Sequence, residues 1–366
     1  MSLVEALASA GESGTPVRFV GSGSKLHWGV PVEDEVEHIS TDGHDRLLEH
    51  NEGDLTAIVE AGLPLAKAQA VFAEADQELL LDPPDPHGTA TLGGVIASGD
   101  SGPLRTRYGG PRDLVLGVEM ALSDGQTARA GGKVIKNVAG YDLSKLLTGS
   151  LGSLGLILEL SLRLHPKPQA TATAAGGTKD PGTLTEAALA LTKAPLEARC
   201  MDLRFGGGDG ALLARFGGAT PRTGAEKAAA LMRDAGLEVS LVDDDDQIWE
   251  QQRSGQRSAD GLAVRVSTLP SRFGDLLGFC ERSGARAVAR AGLGLAWVTL
   301  EERSAQETAD ALAELRRALD PAPCAVLDSP APISDPWPSP APGPLALMQR
   351  IKARFDPAGV CRPVLA

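Results

Sequence analysis

The sequence predicts an α+β chain of two domains, and three observations carry that prediction. Loops rich in glycine and small residues recur beside short apolar strands up to residue 168, helix-period and strand-period runs interleave with short connections beyond it, and 366 residues suffice for two separate cores. A proline-rich connector, DSPAPISDPWPSPAPGP, leads into a last short stretch, so the expected division is 1–168, 169–344 and 345–366.

Leu3, Val4 and Leu7 lie at helical spacing before Gly11 and Gly14, which predicts a short opening helix. Val17 to Val20 alternates as a strand and runs into GSGSKLHWG, a strand-to-glycine-loop transition that can present backbone N–H groups to an anion. Leu55 to Glu60 reads as a second strand and Leu63 to Gln77 as an amphipathic helix. Prolines 83, 84 and 86 fix an extended approach to GTATLGGVIASGDSG, because each locks φ and biases its predecessor away from helix. LVLGVEMALSDGQTARAGG is a hairpin turning at Ser123-Asp124-Gly125. Asp142 is placed to cap a helix over Leu143 to Thr148 that Gly149 closes, and Leu156 to Leu164 alternates as a strand.

Beyond a loose TATAAGGTKDPG linker, strand-like runs at 199–205, 211–216, 237–242, 262–268, 286–290 and 293–300 alternate with helix-like runs at 224–235, 272–283 and 304–319. That mixture predicts an antiparallel sheet covered on one face by helices, and a final helix is expected over Leu345 to Phe355.

A net charge of -13, from 48 acidic and 35 basic residues, argues against a general nucleic-acid binder, since phosphate contacts need clustered Lys and Arg. No run approaches the roughly 20 apolar residues of a membrane span. MSLVEALASAGESG lacks the basic and apolar regions of a secretory signal. Cysteines 200, 280, 324 and 361 have no CxxC spacing, which excludes an encoded iron–sulfur or zinc site and makes them core residues of a cytoplasmic protein. The acidic run at 243–246 reads as a solvated turn, and His38, His44 and His50 as surface side chains.

The chemistry concentrates between Pro83 and Pro168, most densely in KNVAGYDLSKLLTGSLGSLG, with glycines at 140, 149, 152 and 155 and both tyrosines in it or just before it. Glycine serves where backbone must approach a ligand closely or adopt positive φ. Two such clusters in one segment imply a long, polar ligand. The early loop is neither Rossmann nor Walker: GxGxxG needs glycine where Leu26 stands, and Gly132-Lys133 is followed by Val134 instead of Ser or Thr.

The run PPDPHGTATLGGVIASGDSGPLRTRYGGPRDLVLGVEMALSDGQ, followed by GGKVIKNVAGYDLSKLLTGSLGSLGLILELSLRLHPKP, resembles the FAD domain of the vanillyl-alcohol oxidase or p-cresol methylhydroxylase (PCMH) type. KNVAGYDLSKLL is most similar to the FAD-binding subunits of bacterial glycolate oxidase complexes. The resemblance implies a PCMH-type FAD-binding domain followed by a cap domain, with the C-terminal turn packed back on the first. It implies that Gly21, Ser22, Gly23, Ser24 and Lys25 form a pyrophosphate-binding loop. Pro84, Thr91, Leu92, Gly93, Gly94, Ala97, Ser98 and Gly102 match a second FAD-binding stretch, and Arg107, Tyr108 and Gly109 follow it. Lys136, Asn137, Gly140, Tyr141 and Asp142 match a third, and Gly152, Gly155 and Ile157 complete the set. Ser24 occupies the place of the histidine through which some relatives attach flavin, so FAD is expected to be non-covalent and His27 a wall residue.

The same resemblance implies a subunit of a multi-subunit 2-hydroxy-acid (glycolate) oxidase, with a larger FAD-containing subunit and an iron–sulfur subunit as partners. Any membrane attachment would come through those subunits. All six histidines lie at or before residue 165, so the second domain offers no histidine base, and no catalytic residue or metal is assigned. Arg204, Arg215 and Arg265 are the arginines on expected cap strands that could clamp a carboxylate. Two other readings stay open: a self-sufficient FAD-linked oxidoreductase, and a non-catalytic assembly subunit that keeps the fold.

Overall fold

The computed structural model describes residues 1–32, 35–133 and 143–363. The chain divides into two units, one of Met1–Ser101, Gly109–Lys167 and Ser339–Ala366, the other of Gly102–Tyr108 and Pro168–Pro338.

In the first unit the strands run Leu47–Asn51, Thr56–Glu60, Leu156–Arg163, Val115–Ala121 and Thr127–Gly131 across a five-stranded antiparallel sheet. Leu160 and Leu162 alternate inward on the third strand, and helix Leu92–Ser98 packs against it, capped by the Thr91 hydroxyl. Val17–Val20 pairs in parallel with Glu37–Ser40. Val17 also bridges Cys361, so Leu7, Ala10, Val17 and Ile39 share a core with Val360 and Cys361.

In the second unit the described strands form an eight-stranded antiparallel sheet, ordered Glu238–Val242, Ala170–Thr178, Asp209–Gly218, Cys200–Gly206, Arg286–Arg290, Leu295–Leu300, Leu262–Ser267 and Cys324–Asp328. Helices Pro181–Lys193, Pro221–Asp234, Phe273–Ser283 and Ala305–Leu319 share one large core with it.

Three expectations need correction here. Most of the supposed linker at 171–182 belongs to the interior strand Ala170–Thr178, paired on both sides, with residues kept small because Gly176 lies under Leu237 and Met232. The acidic run does not end in a solvated turn: Asp245 is buried and accepts from Thr171, Thr173 and Arg215, and helix Asp246–Ser254 starts beside it. His50 is tied to Gln77 at 3.0 Å and set edge-on to Phe72.

Candidate functional site: a glycine-lined cleft

Val17–Val20 delivers the chain into the loop Gly21–Lys25 in the first unit. The amides of Ser22, Gly23 and Ser24 donate to no acceptor among the described residues, and Gly23 takes φ 76°. Successive unpaired N–H groups on such a loop suit anionic oxygens. Gly21 admits no side chain, because a Cβ there would lie 2.2 Å from Thr91 Oγ1.

Gly21–Lys25 line a cleft with Thr91, Gly94, Ala97 and Ser98. A second cleft shares Gly21, Thr91, Gly94 and Ala97 with it and continues past Gly93 to Gly152, Gly155 and Ile157. The two are narrow, about 90 and 60 Å³, which suits an extended part of a ligand. Gly152 holds φ 82° where a Cβ would lie 2.9 Å from Phe19, and Gly155 holds φ 143° where one would lie 2.6 Å from Ala121 O.

Helix Leu92–Ser98 contributes shape and no free donors at its start. Leu92 N–H bonds Leu63 O, Gly93 N–H bonds Ala61 O, and Gly94 N–H bonds Thr91 Oγ1. The small side chains of this stretch therefore make room, while their amides hold the fold together.

Lys25 Nζ stands 3.2 Å from Asp100 and 5.5 Å from the ring centre of buried Trp28. Its charge is thus already met within the unit. Arg18 lines the same cleft, has no carboxylate partner among the described residues, and is half-buried enough for desolvation to lower its pKa. A guanidinium stays protonated under such a shift, so Arg18 supplies the cleft with a positive charge that no carboxylate among the described residues meets.

The remaining expected site residues lie elsewhere. Pro84 and Leu92 are buried and line neither cleft, and Gly109 abuts Asp113 at φ 81°. Gly102, Arg107 and Tyr108 belong to the second unit, where Gly102 O accepts from Arg290, Arg107 faces Glu197 and Arg199 stacks over Tyr108. Lys136, Asn137, Gly140, Tyr141 and Asp142 lie outside the described residues. The cap arginines each have a structural partner: Gln251 for Arg204, Asp245 and Asp246 for Arg215, the Trp337 ring for Arg265.

Sequence reasoning missed Arg18, Asp100 and Trp28. Asp100 stands inside the GDSG motif and Trp28 in the early loop, but nothing in the sequence pairs Asp100 with Lys25.

The family described as FAD binding domain matches residues 2–131, the span that builds the early loop and the helix beneath it. Residues 2–131 are an FAD-binding domain. Its cofactor is FAD, and the PCMH type implied by the resemblance holds. Over 170 residues the chain is 37% identical to glycolate oxidase subunit GlcE of Escherichia coli, covering 46% of this chain and 48% of that one. Over 175 residues it is 37% identical to glycolate oxidase subunit GlcD of Bacillus subtilis, covering 46% and 35%. The chain thus spans about half or less of the curated relatives it matches. A solved alkyldihydroxyacetonephosphate synthase shares the fold over 99% of this chain and 74% of its own, with TM-score 0.73 at 14% identity.

Among the described residues no helix is long and apolar enough to cross a membrane, and no group of His, Cys, Asp and Glu is set to hold a metal.

Proposed function

We propose that this chain is the FAD-binding subunit of a multi-subunit 2-hydroxy-acid oxidase that takes glycolate to glyoxylate, working with a larger FAD-containing subunit and an iron–sulfur subunit. The observation that carries this reading is the convergence of Gly21–Lys25, Thr91–Ser98 and Gly152–Ile157 on contiguous clefts, in a chain 37% identical to a glycolate oxidase subunit over 170 residues.

The unpaired amides of Ser22, Gly23 and Ser24, with Arg18, would take the pyrophosphate oxygens. Gly152 and Gly155 would let the ligand pass close to backbone. With no histidine at position 24, the flavin is held non-covalently. Bound flavin would supply two-electron oxidation of an alcohol carbon, and the clefts would orient it. The second unit holds no histidine to take the hydroxyl proton, so hydroxy-acid oxidation depends on a partner's base.

Anaerobic stopped-flow with glycolate and D-lactate tests this. The isolated FAD-loaded chain should stay oxidised, and bleaching should appear once the partner subunits are present. General acid–base assistance is worth about 10²- to 10⁴-fold, so the contrast should be near-silence against turnover. Rapid bleaching of the isolated chain would make it self-sufficient, and no bleaching with all subunits present would make it an assembly subunit.

A further inference from the structure

Helix Pro342–Phe355 runs for 14 residues in the first unit and buries none of them. Every other described helix of ten or more residues buries at least two. Its apolar side chains form a stripe: Leu347, Ile351 and Phe355 recur at four-residue spacing with Met348 beside them. Leu347 is 49% and Met348 36% exposed.

Beside Met348 and Ile351 lies a mostly apolar cavity of about 580 Å³, lined also by Leu146 and Leu154 and edged by Ser153, Lys352 and Asp356. A helix of this length is marginal in water unless its apolar face is covered. Its C-terminal end is nevertheless anchored, because Lys352 Nζ donates to Ser153 O and Cys361 O and pairs with buried Asp356. Leu347 and Met348 are therefore held in place and left open, while Ile351 and Phe355 are half-buried.

We propose that this face docks an acidic amphipathic helix of a partner subunit, a proposal that rests on the complex membership proposed above. Charge selects the occupant. Exposed Arg350 and Arg354 stand one turn apart along the stripe, and Pro342–Arg362 carries Arg350, Lys352, Arg354 and Arg362 against the single acid Asp356, in a chain of net charge -13. A second copy docked face to face would set Arg350 and Arg354 against themselves, which is costly. An anionic bilayer is flat, leaves the cavity unfilled, and is repelled by the rest of the chain. An acidic helix fills the cavity with apolar side chains and meets both arginines with carboxylates.

The test is co-expression of the full chain with the larger FAD subunit and the iron–sulfur subunit, read by co-elution on size exclusion. Leu347→Glu with Met348→Glu, and separately Arg350→Glu with Arg354→Glu, should each weaken assembly about tenfold or more, as loss of an interface anchor does. Circular dichroism and bound flavin should stay unchanged, since all four side chains are exposed. Assembly of the wild type with both double variants assembling equally well would overturn the docking face while leaving the subunit reading intact. Failure of the wild type to assemble would overturn both. Sedimentation with equimolar phosphatidylcholine and phosphatidylglycerol vesicles that depends on these four residues, while assembly does not, would assign the face to a membrane and overturn the proposal.

Discussion

The Lys25 ammonium stands 3.2 Å from the Asp100 carboxylate, and the two side chains are only 10% and 4% exposed. Such a pair is costly to break by halves, because the remaining charge stays buried alone. Lys25→Met should cost about 3 kcal/mol of unfolding free energy in urea titration. A cost within experimental error of zero would show that Asp100 is hydrated in the folded protein.

Arg18 should behave differently, since it has no carboxylate partner among the described residues and lines the cleft. Arg18→Gln should leave stability nearly unchanged and weaken FAD about tenfold, the value of one charge-assisted hydrogen bond. Flavin fluorescence titration measures this. An unchanged affinity would remove Arg18 from the pyrophosphate site.

Gly152 combines φ 82° with a built Cβ only 2.9 Å from Phe19 Cδ2. Gly152→Val should lose FAD while keeping the circular dichroism of the fold, with about 1–2 kcal/mol of backbone strain besides. Full flavin content in the variant would make this glycine a turn residue alone.

The first unit was largely legible because its signals are local. Val17–Val20 is a strand as expected, and glycines 21, 94 and 152 do meet on one pair of clefts. What stayed hidden depended on long-range partners. Ala170–Thr178 looks like linker by composition, yet its smallness is what lets Leu237 and Met232 pack over Gly176. Asp245 looks solvated among four acids until Thr173 and Arg215 surround it. Leu151 at φ 52° breaks a conformational preference that no sequence pattern announces.

Asp202 gives a pH signature in the second unit. It is fully buried, and desolvation raises its pKa from 3.8 to about 6 against the opposing pull of Arg290 and Gln252. A carboxyl raised on folding binds its proton more tightly in the native state, so its contribution is complete below about 3.8 and is lost as pH rises through about 6. Relative to Asp202→Asn, the wild type should lose stability across that window at no more than about 1.4 kcal/mol per pH unit. Parallel stability curves for the two proteins between these values would contradict it.

The most direct measurement is titration of the purified, flavin-free chain with FAD and, in parallel, with NAD, followed by acid precipitation. The clefts described here predict saturation at about one FAD per chain, no response to NAD, and release of all the flavin to the supernatant. Absence of any flavin binding would contradict the site, and yellow colour retained in the acid pellet would contradict its non-covalent character.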